Sequence, residues 1–189
     1  DTEKYPGMKN FKKFGPFAYT AKLRNGLFRN TGACLSPQNA FYNSIGMETL
    51  GLRMERVCDN AKTLAQFFAT EYSDIEVNYP GLAGSKWHNI ATEQFGDKFG
   101  GIITIRTGNK KRAFGIIDAL KLPLIVSNIG DTKTLVIHPE STLNVHSTQE
   151  EKETAGVFDD LIRISVGIED IDDLIDDFKQ AIESVKDVY

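Results

Sequence analysis

Residues 160–170 read Asp160-Leu161-Ile162-Arg163-Ile164-Ser165-Val166-Gly167-Ile168-Glu169-Asp170, a short strand, a glycine turn and the start of a helix. Alternation places Ile162, Ile164 and Val166 on one face and Leu161, Arg163 and Ser165 on the other. A charge on so apolar a strand needs a negative partner, because burying it alone is costly. The planar guanidinium suits a carboxylate held by two parallel hydrogen bonds, so Arg163 is a candidate carboxylate anchor. An ion pair with Glu169 or another acid, or a strand-edge arginine in water, fits the same residues.

After the strand, a helix starting near Glu169 carries Ile171, Leu174, Ile175, Phe178, Ile182 and Val185 at helical spacing. Before it, short strands and helices alternate: strands at 75–79, 101–106, 125–128 and 134–137, and helices at 85–95 and 109–120, the latter capped by Asn109. A loop from His138 to about Thr148 leads into an acidic helical turn. Strands alternating with helices on this scale predict an α/β layer with helices covering a sheet. Upstream, residues 1–13 read as a surface arm, and a helix from Phe14 ends at Gly32. Ser36-Pro37 opens a long helical stretch to about Glu71, since serine caps free N–H groups and proline suits the first helical position. Gly46 and Gly51 are places where it can bend.

The 189 residues are 41% hydrophobic and 25% charged with a net charge of −4, ordinary for a globular protein. No basic block suggests nucleic acid, and no long apolar run suggests a membrane. Two cysteines, Cys34 and Cys58, lack metal-ligand spacing and point to a reducing compartment, hence the cytoplasm. Cys34 precedes a helix start, but with no histidine partner it reads as a buried structural thiol. The histidines His88, His138 and His146 are too scattered for zinc. The acids Glu169, Asp170, Asp172, Asp173, Asp176 and Asp177 lack the pattern of a calcium loop and read as the solvated face of the last helix. Gly130-Asp131-Thr132-Lys133 lacks P-loop spacing, and Gly100-Gly101 suggests close packing or a turn. Ser127-Asn128-Ile129-Gly130-Asp131 ends a strand in a tight turn. Its amides and the Asn128 side chain could hold an anion, shared with Arg163 if the strands are neighbours.

Several ordered blocks resemble one family. They are Ala18-Tyr19-Thr20-Ala21-Lys22-Leu23-Arg24-Asn25-Gly26-Leu27, Thr31-Gly32-Ala33-Cys34-Leu35-Ser36-Pro37-Gln38-Asn39-Ala40-Phe41, Gly46-Met47-Glu48-Thr49-Leu50 and Leu52-Arg53-Met54-Glu55-Arg56. Asn128-Ile129-Gly130-Asp131, Leu135-Val136-Ile137-His138-Pro139 and residues 161–170 follow in order. Together they resemble the O-acetylhomoserine sulfhydrylases, members of the cysteine and methionine metabolism group of pyridoxal-phosphate enzymes. The first block favours that subgroup over cystathionine synthases and lyases.

The resemblance implies the C-terminal small domain of a type I pyridoxal-phosphate enzyme, a mainly antiparallel sheet covered by helices and preceded by long helices. The implied divisions are residues 1–35, an arm and helix from the end of the cofactor domain; 36–71, a connecting helix; and 72–189, the α/β domain. The family's Schiff-base lysine lies in a Ser-x-Thr-Lys segment that these residues lack; Lys133 is not its equivalent. No catalytic, cofactor-binding or metal-binding residue is therefore expected here. Pyridoxal phosphate is expected in the full-length enzyme and not on this chain alone, which is expected to be inactive. Arg163 matches the arginine that grips the substrate α-carboxylate, and Asn128 a residue that helps hold it. The implied reaction replaces the acetate of O-acetylhomoserine with sulfide or a thiol, giving homocysteine or methionine. The implied partners are those substrates, an N-terminal cofactor domain and further copies of the chain. A cystathionine γ-synthase or γ-lyase, or a non-catalytic ligand-binding or assembly module, are the alternatives. Glu140 and Asn144 depart from the family's usual His-Pro-Ala-Ser-Thr run in a loop that borders its substrate pocket.

Overall fold

A computed structural model describes residues 10–186, so the first nine residues of the expected arm lie outside the described residues. By compactness the chain forms two units, the first ending at Glu48 and the second beginning at Thr49.

In the first unit, α1 (Asn10–Phe14), α2 (Ala18–Leu23) and α3 (Arg29–Thr31) are linked by a 3-10 turn and a π-turn. Gly32 ends the run with φ +61°, a left-handed conformation that glycine adopts without steric cost. The next helix, α4 (Pro37–Glu48), starts where expected, and Ser36 Oγ accepts the Asn39 N–H at 3.2 Å. None of the helical residues from Gly15 to Glu48 is buried.

The second unit opens with α5 (Leu50–Glu71), so the expected helical stretch is broken at Thr49, between its two glycines. It continues with β1 (Glu76–Asn78), α6 (His88–Phe95), β2 (Ile102–Arg106), α7 (Lys110–Ala119), β3 (Leu124–Ile125), β4 (Leu135–Ile137), α8 (Gln149–Thr154), β5 (Leu161–Ser165) and α9 (Ile171–Ser184). Side-chain caps start the later helices. Asn109 accepts the Arg112 N–H at 2.9 Å, and Asp170 accepts the Asp172 N–H at 3.0 Å. Thr148 and Glu151 form a reciprocal capping box that supports the short α8.

The strands form one sheet in the order β1-β2-β5-β4-β3. All pairs are antiparallel except β3 with β4, the mainly antiparallel sheet expected. Its inward face carries Ile103, Ile105, Val136, Ile162 and Ile164, all with no exposed surface. Against it pack Leu64 and Phe68 of α5, Ala113 and Ile116 of α7, and Leu174, Phe178 and Ile182 of α9. Phe68 and Phe178 meet edge to face with centroids 5.2 Å apart, a favoured aromatic geometry. Gly101 lets α5 approach, because a Cβ there would collide with Val57. The pleat sends Thr104, Arg106, Arg163 and Ser165 to the opposite face.

Candidate carboxylate-binding site

Arg163 sits in the middle of the central strand, level with Thr104 on β2 and Ile137 on β4. One of its terminal nitrogens, Nη2, donates to the Ser127 carbonyl oxygen at 2.7 Å. Its Nε is buried with no hydrogen-bond partner. No carboxylate among the described residues pairs with it. Burial alone pulls its pKa down, but an arginine side chain stays protonated. The site therefore holds a half-desolvated positive charge fixed by a neutral carbonyl and left without a counter-charge.

Arg106, on the same face, shows the opposite treatment. Its Nε donates to Asp160 Oδ1 at 2.9 Å, Glu76 lies 3.6 Å from Nη1, and Phe158 stacks beneath it at 4.0 Å. That arginine is neutralised. It borders a cleft of about 1110 Å³ lined also by Asn78, Thr104 and Trp87.

Glu169, a candidate partner for Arg163, is engaged elsewhere. It accepts the Thr134 N–H at 2.5 Å and the Thr134 hydroxyl at 2.9 Å. The acidic run is thus divided. Asp172, Asp173 and Asp176 are exposed as expected, but Glu169 is half-buried and Asp177 is buried. Asp177 accepts the Lys121 and Leu122 N–H groups, each at 2.9 Å, and so ties α9 to the turn after α7.

The strand expected over 125–128 is only Leu124–Ile125. β4 separates it from β5, yet the long arginine side chain still reaches Ser127. Asn128 is exposed beside that contact. Two amides of the loop are already engaged. The Gly130 N–H goes to Ser165 Oγ at 3.2 Å and the Lys133 N–H to Asp131 Oδ1 at 3.1 Å. The Ser127 carbonyl and the level position of Thr104 had no signature in the sequence, because both depend on register and on how the loop returns over the sheet.

The loop after β4 is braced from within. Buried His138 lies against Phe114 at 4.6 Å, between Ser141 Oγ and the Asp159 carbonyl at 2.9 and 2.8 Å. Glu140 bridges Lys110 at 2.8 Å and Lys152 at 2.5 Å, and those two ammonium groups pull its pKa down to about 2. Asn144 bonds the Pro139 carbonyl through both its backbone and side-chain nitrogens. Both departures from the usual loop sequence thus shape the loop itself. Cys34 is exposed, contrary to the expected burial, whereas Cys58 is buried. No cluster able to hold a metal occurs among the described residues, and no described helix is long and apolar enough to cross a membrane.

A family model described as Cys/Met metabolism PLP-dependent enzyme matches residues 9–183. This chain belongs to that family. It is 38% identical to a sulfhydrylase of Fusarium oxysporum f. sp. lycopersici over 95% of its own length and 42% of that protein. It is 39% identical to a homocysteine synthase of Schizosaccharomyces pombe with the same coverage. Among solved structures, a putative O-acetylhomoserine (thiol)-lyase of Campylobacter jejuni, which carries a pyridoxyl-lysine monophosphate, superposes with a TM-score of 0.81 at 39% identity, covering 89% of this chain and 40% of that one. The chain spans about two fifths of the length of the relatives it matches.

The family's cofactor, pyridoxal phosphate, needs a lysine whose free amine can attack its aldehyde. The lysines that border cavities here do not offer one. Lys98 is paired with Asp59, which raises its pKa and favours the protonated form, and Lys110 is paired with Glu140. Lys86 and Lys111 are exposed, Lys86 with its ammonium over Trp87. Among the described residues, these four lysines, held by acids, stacked on a ring or open to solvent, do not fit a Schiff-base site.

Proposed function

We propose that this chain forms the substrate-carboxylate part of an O-acetylhomoserine sulfhydrylase, the enzyme that replaces the acetate of O-acetylhomoserine with sulfide or a thiol. Homocysteine or methionine is the product, and pyridoxal phosphate is bound by residues other than these. Arg163 grips the α-carboxylate, and Asn128 assists from the adjoining loop. The share of this chain in the reaction is orientation: fixing the carboxylate fixes the position of the carbon next to it. By itself the chain does not turn over, and it works beside a cofactor domain in an oligomer in the cytoplasm. The observation that carries the reading is the unpaired charge of Arg163, set against the neutralised Arg106 on the same face.

Titration of the chain with O-acetyl-L-homoserine, followed by chemical shifts of β2, β4 and β5, tests it. Arg163→Lys should weaken binding about tenfold, since an ammonium cannot reproduce the bidentate contact. Equal affinity in the two proteins overturns the assignment. Appearance of an aldimine absorbance on adding pyridoxal phosphate to the chain would overturn the placement of the cofactor.

A further inference from the structure

Residues 127–134, which lead from β3 back to β4, run beside β5 and the turn that follows it. Hydrogen bonds join the two segments along their length. The Ser127 carbonyl meets Arg163, and the Gly130 N–H meets Ser165 Oγ at 3.2 Å. The Ile168 N–H meets the Thr132 carbonyl at 2.9 Å, and the Gly167 N–H meets Thr134 Oγ1 at 2.9 Å. Between these points the loop is solvent-exposed from Ser127 to Lys133. Its path depends on the ties.

The last tie is the most elaborate. A hydroxyl has one proton to donate and lone pairs to accept with. Thr134 gives its proton to Glu169 Oε2 and accepts from Gly167, while Glu169 Oε1 takes the Thr134 N–H. The acid is itself anchored. Asn60 on α5 donates to the Glu169 carbonyl at 2.9 Å and to the Gly167 carbonyl at 3.1 Å. Nothing larger than glycine fits at 167, where a Cβ would collide with the Thr132 carbonyl and the Glu169 carboxylate.

We propose that Glu169, acting through Thr134, is a positioning residue for Arg163: it pins the 127–134 loop so that the Ser127 carbonyl orients the guanidinium. The arrangement suits a carboxylate grip for a specific reason. Glu169 supports the arginine through the loop without touching it, so the positive charge is held in place and not cancelled. The proposal rests on the reading of Arg163 given above, but its test does not need a ligand.

In the isotopically labelled chain, the bond to Ser127 should hinder rotation about the arginine Cζ–Nη2 bond and give separate Arg163 Nη resonances. Thr134→Ser keeps the hydroxyl and should keep them. Thr134→Val, which keeps the shape but not the hydroxyl, and Glu169→Gln should each speed the rotation about tenfold, since a hydrogen bond from a charged donor is lost or loosened. Retained amide signals from β2, β4 and β5 show that each variant is folded. Should Glu169→Gln fail to fold, the contrast between serine and valine at 134 decides. Unchanged Arg163 signals in folded Thr134→Val, or equal loss in Thr134→Ser, overturn the proposal. A changed rotation without preferential binding of O-acetyl-L-homoserine by the parent chain over Arg163→Lys would leave the positioning role standing and remove the carboxylate reading.

Discussion

Residues 10–48 and residues 49–186 both carry helices rich in large apolar side chains, but they place those side chains differently. In the second unit Leu64, Phe68, Leu174, Phe178 and Ile182 are wholly buried against one face of the sheet. In the first, no helical residue from Gly15 to Glu48 is buried, and Phe17, Tyr19, Phe41, Tyr42 and Met47 each expose more than half of their surface. Helical periodicity says which side chains share a stripe; it does not say what covers them. A sheet supplies that cover in the second unit.

Truncation on both sides tests this contrast most strongly. Phe178→Ala should cost about 3–5 kcal/mol, because the ring fills the meeting point of α5 and α9. Phe41→Ala, at a side chain 61% exposed, should stay within about 0.5 kcal/mol. Urea unfolding of both variants measures the difference, and equal costs would break the comparison. A smaller effect is expected at Asp177. The amides of Lys121 and Leu122 both reach Oδ2 and Gln180 Nε2 donates to Oδ1, so an asparagine oxygen can serve the amides only by turning its NH2 toward the Gln180 donor, and Asp177→Asn should cost about 1–3 kcal/mol. The same unfolding experiment reads it, and a neutral result would mean that the α7–α9 turn does not rely on this carboxylate.

The smallest effect concerns Glu140. Its carboxyl pKa is lowered from 4.5 to about 2 by hydrogen bonds to Lys110 and Lys152. A depressed pKa stabilises the folded state above the unfolded value, and that stabilisation is lost as pH falls from about 4.5 toward 2. Glu140→Gln should therefore flatten the stability–pH curve in that window. At neutral pH it should cost about 1 kcal/mol, since solvent around Lys110 weakens one contact while the Lys152 contact is mostly buried. Chemical unfolding at pH 7 and pH 3 checks both points.

Much of the fold was legible where local chemistry and tertiary packing agree. The strand at 161–165, the cap Asn109 and the apolar stripe of α9 fall where alternation, capping and helical spacing place them. Arg163 was legible as a charge out of place on an apolar strand. Its solution was not, because choosing between Glu169 and an empty partner site requires knowing where Thr134 lies. Glu169 and Asp177 look like their solvated neighbours in sequence and differ only in the amides that reach them. The strand expected to end at Asn128 stops at Ile125, as β4 offers partners only to Leu124 and Ile125. Cys34 was misread because burial depends on a covering surface, which its own unit does not provide.

The place of β5 in the sheet has a consequence for how the chain is made. It follows the other four strands of this sheet in the chain, yet it lies between β2 and β4 and is bonded to both. Until residues 161–165 emerge, no strand is present to join the β1–β2 pair to the β3–β4 pair. The closing pairings span long stretches of chain, the kind that form slowly. During that wait the inner faces of both pairs are open, and a stalled or clipped product ending before Leu161 would present those faces to chaperones and proteases and not to its own core.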